Sequence, residues 1–264
     1  MHPFDSALQL TVEQNRFHGH TSPAYANMVG PFGGITAAVL LKALLDHPKR
    51  QGEPITITVN FAAPVKDGAF EIETQLIRTN RSNQHWFVTL SQANEIVTTA
   101  TAVFATRRTT WGTIDISFPT FPTDTELLSN HSLPAWTKNY TFRLAGGMAA
   151  LFSTNSATSV TLQSIRDEPP RPLDFLSLTA MCDVFFPRIF VRRGQFVPIG
   201  TVALTIYFHA DTAVLAALGN TEVIGQARAN RFYNSYHDQS AEIWSPAGDL
   251  LATTTQIVYF KAEA

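Results

Sequence analysis

The sequence predicts an α+β protein made of two copies of one unit, each an antiparallel sheet wrapped around a buried central helix, fused in one chain of 264 residues. Three observations predict it. Between Gly30 and Asp46 (GPFGGITAAVLLKALLD) the chain is apolar nearly all round, with only Thr36 and Lys42 as polar interruptions. An amphipathic surface helix shows one apolar stripe, so a helix of this kind is expected to be covered on every side. Second, β-branched and alternating runs follow this helix, separated by turn residues. Third, the same order of elements returns in the second half of the chain.

The elements follow in chain order. Leu8 to His18 reads as a first strand, and Thr21 to Pro31 as the loop into the helix, expected at about 34–47. Gly33 and Gly34 stand where that helix begins and let another backbone, or a ligand, approach its N-terminus. Ile55–Phe61, Phe70–Thr79, His85–Gln92 and Ile96–Thr106 form a meander, with turns at Arg81–Asn83 and Asn94–Glu95. Trp111 to Pro134, with three prolines among Ser, Thr and Asp, reads as a surface linker. Beyond it, Tyr140–Ala145 and Val160–Ile165 are strand-like, and Leu173–Phe186 is a second apolar helix, expected at about 173–187. Thr201–His209, Glu222–Phe232, Ser235–Trp244 and Leu250–Phe260 complete a second meander, with a hairpin turn at Pro246–Asp249. The expected division is residues 1–110, a linker 111–135, and residues 136–264.

The two halves align on each other. ITVNFAAPV (57–65) matches LTIYFHADT (204–212), and NEIVTTATAVF (94–104) matches GDLLATTTQIV (248–258). The alignment pairs Gln256 with Ala102 and Thr201 with Pro54.

Composition bounds the function. Hydrophobic residues make up 45% and charged ones 15%, so the chain is core-rich rather than disordered. A net charge of −2 gives no electrostatic case for nucleic acid or an anionic membrane. The Gly30–Asp46 run is shorter than the roughly 20 apolar residues that span a bilayer. The single cysteine, Cys182, excludes an intramolecular disulfide framework and a cysteine-rich metal site. The N-terminus lacks a basic segment followed by an apolar one, which points to a cytoplasmic protein. No HExxH, phosphate-binding glycine loop or GxSxG occurs, which argues against a zinc hydrolase, an NTPase and an α/β-hydrolase.

Two polar residues stand out in apolar surroundings. Asp183 lies between Ala180–Met181–Cys182 and Val184–Phe185–Phe186. A carboxylate there is costly unless paired or hydrogen-bonded, which marks a functional candidate; the alternative is a wet helix face with Arg188 or Arg192 as partner. Gln256 shares a strand face with Ala252, Thr254 and Val258, where it is either buried and satisfied or lines a pocket. The first half has Ala102 and Pro54 where the second has Gln256 and Thr201, and its helix has an acid only at its end, Asp46. A purely structural need would recur in both copies, so chemistry is expected in the second half. His18 and His20 read as loop residues, Arg192–Arg193 as a solvated turn, and Trp86 and Trp244 as strand packing.

This arrangement resembles the double hotdog fold. FGGITAAVLLKAL, the strand ending NFAAPV and the last strand of each half are similar to those of TesB-like acyl-CoA thioesterases. The resemblance implies cleavage of acyl-CoA to free acid and CoA, with no metal and no covalent cofactor. It also implies an Asp, a Thr and a Gln around the attacking water, carried here by Asp183, Thr201 and Gln256. Asp183 would then be the general base, with Gly33–Gly34 as backbone donors to the oxyanion. Acyl-CoA is the implied partner, and exposed sheet edges point to a homo-oligomer. Two other readings remain. One is a hotdog hydratase or dehydratase, whose DxNPxH-like motif is missing here. The other is a non-catalytic acyl-CoA or lipid-binding protein, since one fold hosts many functions.

Overall fold

The computed structural model describes residues 1–13, 16–128, 133–153 and 156–261. Its first half contains α1 (Pro3–Ala7), β1 (Thr11–Glu13), β2 (Arg16–His20), α2 (Gly33–Leu45), β3 (Glu53–Phe61), β4 (Ala69–Thr79), β5 (Asn83–Gln92) and β6 (Glu95–Ala105). The second contains β7 (Thr125–Leu127), β8 (Tyr140–Ala145), α3 (Gly147–Phe152), β9 (Thr161–Asp167), α4 (Phe175–Met181), α5 (Arg188–Arg193) and β10 (Ile199–Phe208). It ends with α6 (Thr212–Leu218), β11 (Val223–Arg228), β12 (Phe232–Tyr233), β13 (Tyr236–Trp244) and β14 (Leu250–Phe260).

The strands form one continuous 14-stranded sheet rather than the two expected. The join is an antiparallel pairing of β3 with β10, from Ala203↔Asn60 to Tyr207↔Thr56. Outward from this seam the order is β3-β6-β5-β4-β2-β1 on one side and β10-β14-β13-β11-β9-β8-β7 on the other. The register repeats the sequence duplication. Ile57 faces Ala102 in the first half, as Leu204 faces Gln256 in the second. Even the irregularities coincide, between Pro54 and Thr56 and between Thr201 and Ala203. A bulge bends a strand and re-aims its side chains, so Thr201 leaves the regular pleat where it approaches Gln256.

Helix α2 follows from its composition. Ten of its thirteen residues are buried, and the polar exception, Lys42, pairs with Asp46 one turn on. Leu40 is fully buried, and truncating it to Ala is expected to cost about 2–5 kcal/mol. A Cβ on Gly34 would lie 2.6 Å from the carbonyl oxygen of Ala180. Glycine there lets α2 and α4 meet backbone to backbone.

Three expected elements differ. Residues 8–18 are not one strand: Leu8 caps α1, whose start is fixed by Pro3 at its first position and the His2 ring accepting from the Phe4 N–H. Residues 14–15 of that stretch lie outside the described residues. The helix expected at 173–187 is α4 alone, opened by Asp174, which accepts from Ser177 N–H at 2.8 Å. Pro187 cannot sit inside a helix and disfavours helical backbone before it, so the chain turns at Cys182–Asp183 and restarts as α5. The stretch Trp111–Asp124 is without helix or strand, but the linker's later part carries β7, which pairs with β8. Residues 129–132 of that linker lie outside the described residues.

Candidate active site

Asp183 stands two residues beyond α4, its N–H donating to Ala180 O at 3.1 Å. The turn aims its carboxylate at two elements. From β14, Gln256 Nε2 donates to Asp183 Oδ1 at 2.7 Å. From the first turn of α2, the Gly34 N–H donates to the same carboxylate. Thr201 Oγ1 donates to Gln256 Oε1 at 3.4 Å. A carboxylate only accepts, so Gln256 must present its NH₂ to Asp183 and its carbonyl oxygen to Thr201, which fixes the amide's orientation. The three residues separated by up to 73 positions thus form one chain of hydrogen bonds, and the first half of the protein contributes the helix terminus that meets it.

Gly33 is placed by the same carboxylate. A Cβ there would lie 2.7 Å from Asp183 Oδ2 and 3.4 Å from the Phe61 ring. Gln256 itself is 6% exposed, while Asp183 keeps a partly accessible edge.

Burial pushes the Asp183 carboxyl up to about 7, and the Gln256 and Gly34 donors hold it below where burial alone would set it. Neither arginine considered as a partner meets it. Arg188 is fully buried and turned to β9, β11 and β13, and Arg192 donates to Ser156 O. The buried Cys182 thiol beside it is raised, by burial and then by the Asp183 charge. The Tyr140 phenol on β8 is also raised, by burial first and then by the charges of Tyr25, Asp167 and Asp183. Tyr140 belongs to an aromatic wall in which Phe32, the residue before Gly33, stacks on Trp136 at 4.3 Å between centroids. Sequence reasoning missed Tyr140 and Trp136; only Phe32, inside the FGG stretch, carried a signal.

The other singled-out residues lie elsewhere. Asp46 pairs with Lys42 on the surface. His18 and His20 fall within β2 rather than a loop. Trp86 and Trp244 are buried strand residues. A cavity of about 430 Å³ opens at the far end of α4, lined by Asp5, Arg171, Asp174, Phe175 and Leu215, and does not touch Asp183, Thr201 or Gln256. Among the described residues, no three His, Cys, Asp or Glu side chains gather to hold a metal ion, and no helix is long and apolar enough to cross a membrane.

Comparison with known proteins covers both halves. The acyl-CoA thioesterase N-terminal domain matches residues 22–105, and the acyl-CoA thioesterase C-terminal domain matches residues 115–260. A conserved protein of unknown function with a hot dog fold from Alicyclobacillus acidocaldarius is 47% identical, with all of both chains covered and a TM-score of 0.95. An acyl-CoA thioesterase II from Mycobacterium marinum is 16% identical over 99% of this chain and 98% of that one, with a TM-score of 0.78. The tesB protein of Mycobacterium avium subs paratuberculosis is 19% identical over 98% of each chain, with a TM-score of 0.77. These last two show likeness of fold. No curated protein matches the chain.

Proposed function

Because the chain belongs to the acyl-CoA thioesterase family, we propose that it hydrolyses acyl-CoA thioesters to free acid and CoA with a water activated at Asp183. The observation that carries this reading is a desolvated carboxyl near 7, held by one amide from each half of the molecule. At neutral pH about half of such groups are ionised, and each conjugate base is stronger than an ordinary carboxylate. The carboxylate takes a proton from water as the water oxygen attacks the thioester carbon. The carbonyl electrons move to oxygen, and their return breaks the carbon–sulfur bond and expels the thiolate of CoA, which is then protonated. Gln256 orients the base rather than the bulk solvent, and Thr201 orients Gln256. The N-terminus of α2, thirteen residues long, favours negative charge, and the Gly33 N–H is the donor we assign to the oxyanion. The two-hotdog division at 1–110 and 136–264 forms part of the same reading.

Self-association is part of the proposal, but not through sheet edges. The terminal strands β1 and β7 have only three residues each, and such short edges resist pairing. The outer face of β10 and β14, beside the seam, exposes Tyr207, Ile257 and Tyr259 instead.

The test is release of free thiol from purified protein with a panel of acyl-CoA substrates of graded length, read with a thiol-reactive chromophore. Cys182 is buried and adds little background. Turnover is expected for at least one chain length; saturable binding without thiol release would refute the hydrolase and favour a binding protein.

A further inference from the structure

Arg188 is the first residue of α5 and is fully buried. Every acceptor it meets is neutral. Its Nε donates to Phe186 O at 2.8 Å and to Gln239 Oε1 at 3.1 Å. Its Nη1 donates to Thr161 Oγ1 at 2.7 Å, Ser159 O at 3.0 Å and Ala227 O at 3.3 Å. Its Nη2 returns to Phe186 O. A buried guanidinium without an anion is costly to desolvate, and it is kept here by the several buried acceptors it satisfies at once. Burial alone lowers this group to about 9.

Two of these contacts bear on the site. Phe186 belongs to the segment that begins at Asp183. Gln239 lies directly across from Gln256 in the β13–β14 register. One rigid fork therefore holds the turn that carries the base and the strand beside the one that carries its amide partner. The same segment is seated on the sheet by Phe185, whose ring fills the space where Gly225 lacks a Cβ, 2.7 Å from the position that atom would take.

We propose that Arg188 is a positioning residue of the hydrolase, its guanidinium setting the distance between the Asp183 turn and the Gln256 strand. This rests on the thioesterase reading for its consequence, not for its geometry. Lysine would not serve, because a point charge cannot meet Phe186 and Gln239 from one nitrogen while Thr161, Ser159 and Ala227 are held by another.

The test uses Arg188→Met, which keeps length and apolar volume, with two readouts. In turnover of the folded variant, kcat is expected to fall at least tenfold with KM within twofold. By NMR of ¹³C-labelled aspartate carboxyls, the Asp183 midpoint is expected to move upward, because the Gln256 bond that lowers it is loosened. The groups facing Asp183 are Cys182 on its own turn, Tyr140 on β8, the Gly34 amide on α2 and Gln256 on β14, and none of them titrates near neutrality. In Arg188→Ala, added methylguanidinium is expected to restore part of kcat, with urea as the inert control. Wild-type kcat and an unmoved Asp183 midpoint in folded Arg188→Met would overturn the proposal. If that variant does not fold, the same outcome in Arg188→Lys overturns it. If the wild-type protein has no thioesterase turnover, the functional reading fails, while the NMR midpoint still decides whether Arg188 places Asp183.

Discussion

Asp183→Asn separates chemistry from stability, because the structure predicts that it harms one and helps the other. Burial raises the carboxyl from its ordinary value near 3.8 to about 7. Between those values the folded state binds a proton that the unfolded state does not, so stability falls as pH rises through this window. The cost is absent below about pH 4 and fully present above about pH 7, and at ~1.4 kcal/mol per pH unit it amounts to about 4 kcal/mol. Asparagine is neutral and escapes it. Its single oxygen serves only one of the Gln256 and Gly34 donors, and the donor left over takes back about 1–3 kcal/mol. The net gain at pH 8 is then about 1–3 kcal/mol, or roughly 2–10 °C in melting temperature for a chain of this size. Near pH 4 the carboxyl is protonated in the folded state and only about half ionised in the unfolded state, so the linkage cost is nearly gone and the gain disappears. Turnover of the same preparation should fall by about 10²–10⁴, the usual share of general base catalysis. Thermal melts at pH 4.5 and 8, beside thiol-release kinetics, read both effects. An equal loss of stability at the two pH values would refute the desolvated carboxylate, since an ion-paired Asp183 would behave that way. Full activity in the folded variant would remove it as the base.

Four further outcomes follow from particular contacts. The rate should rise with pH about a midpoint near 7, and Gln256→Ala should move that midpoint upward, because Gln256 lowers the Asp183 carboxyl; an unmoved midpoint in a pH–rate profile would contradict the bond. Gly33→Ala places a Cβ 2.7 Å from Asp183 Oδ2, a side-chain atom, whereas Gly34→Ala places one 2.6 Å from the Ala180 backbone. Kinetics and melts should therefore show the first mainly slowing turnover and the second mainly destabilising the fold. Asp167, raised to about 6 by burial, should on mutation to Asn stabilise the protein by about 1–3 kcal/mol above pH 6 and not at pH 4, with kcat unchanged. Sedimentation should find an assembly that Ile257→Lys weakens; a wild-type monomer at tens of micromolar would dispose of the outer-face interface.

The sequence revealed most about elements whose burial is uniform. Helix α2 was legible because no face of it is polar, and the first meander because alternation is strict: along β5 every second residue from Gln84 to Leu90 is buried. The second half was harder. The apolar run Leu173–Phe186 read as one helix although only Phe175–Met181 is helical, and α5 beyond Pro187 was not anticipated, since periodicity counts hydrophobic residues and not backbone hydrogen bonds. Helix α6 was missed although Asp211 caps it, accepting from Val214 N–H at 2.8 Å, because its seven residues are too few to show a helical period. Asp183 and Gln256 stood out as polar residues in apolar surroundings, Thr201 was named only through the family resemblance, and Arg188 was misread. Sequence proximity offered it as a counter-ion for Asp183, while Pro187 and the seat on Gly225 turn it to the opposite side. Tyr140 had no local signal at all; its place depends on pairing across the sheet with Asp167.

The duplication supplies the control that a single sequence otherwise lacks. Register equates Ala102 with Gln256, Trp86 with Gln239, Ala100 with Thr254 and Gln84 with His237. In the first half these inner positions are two alanines, Trp86 and one amide, Gln84, whose groups the chain satisfies. Gln84 accepts from Gln51 N–H at 2.7 Å and donates to Lys49 O and Thr79 Oγ1 at 3.0 Å each. In the second half Gln256 and Gln239 serve Asp183 and Arg188, while Thr254 Oγ1 and His237 Nε2 are buried with no partner among the described residues. The first half carries unpartnered buried atoms of its own, Trp86 Nε1 and Thr98 Oγ1, so the two copies differ in which polar groups their inner positions hold rather than in whether any is left unpartnered. The half whose inner positions hold Gln256, Gln239, Thr254 and His237 is the half that holds the carboxylate, and the other half contributes a thirteen-residue helix whose first turn brings Gly34 to Asp183.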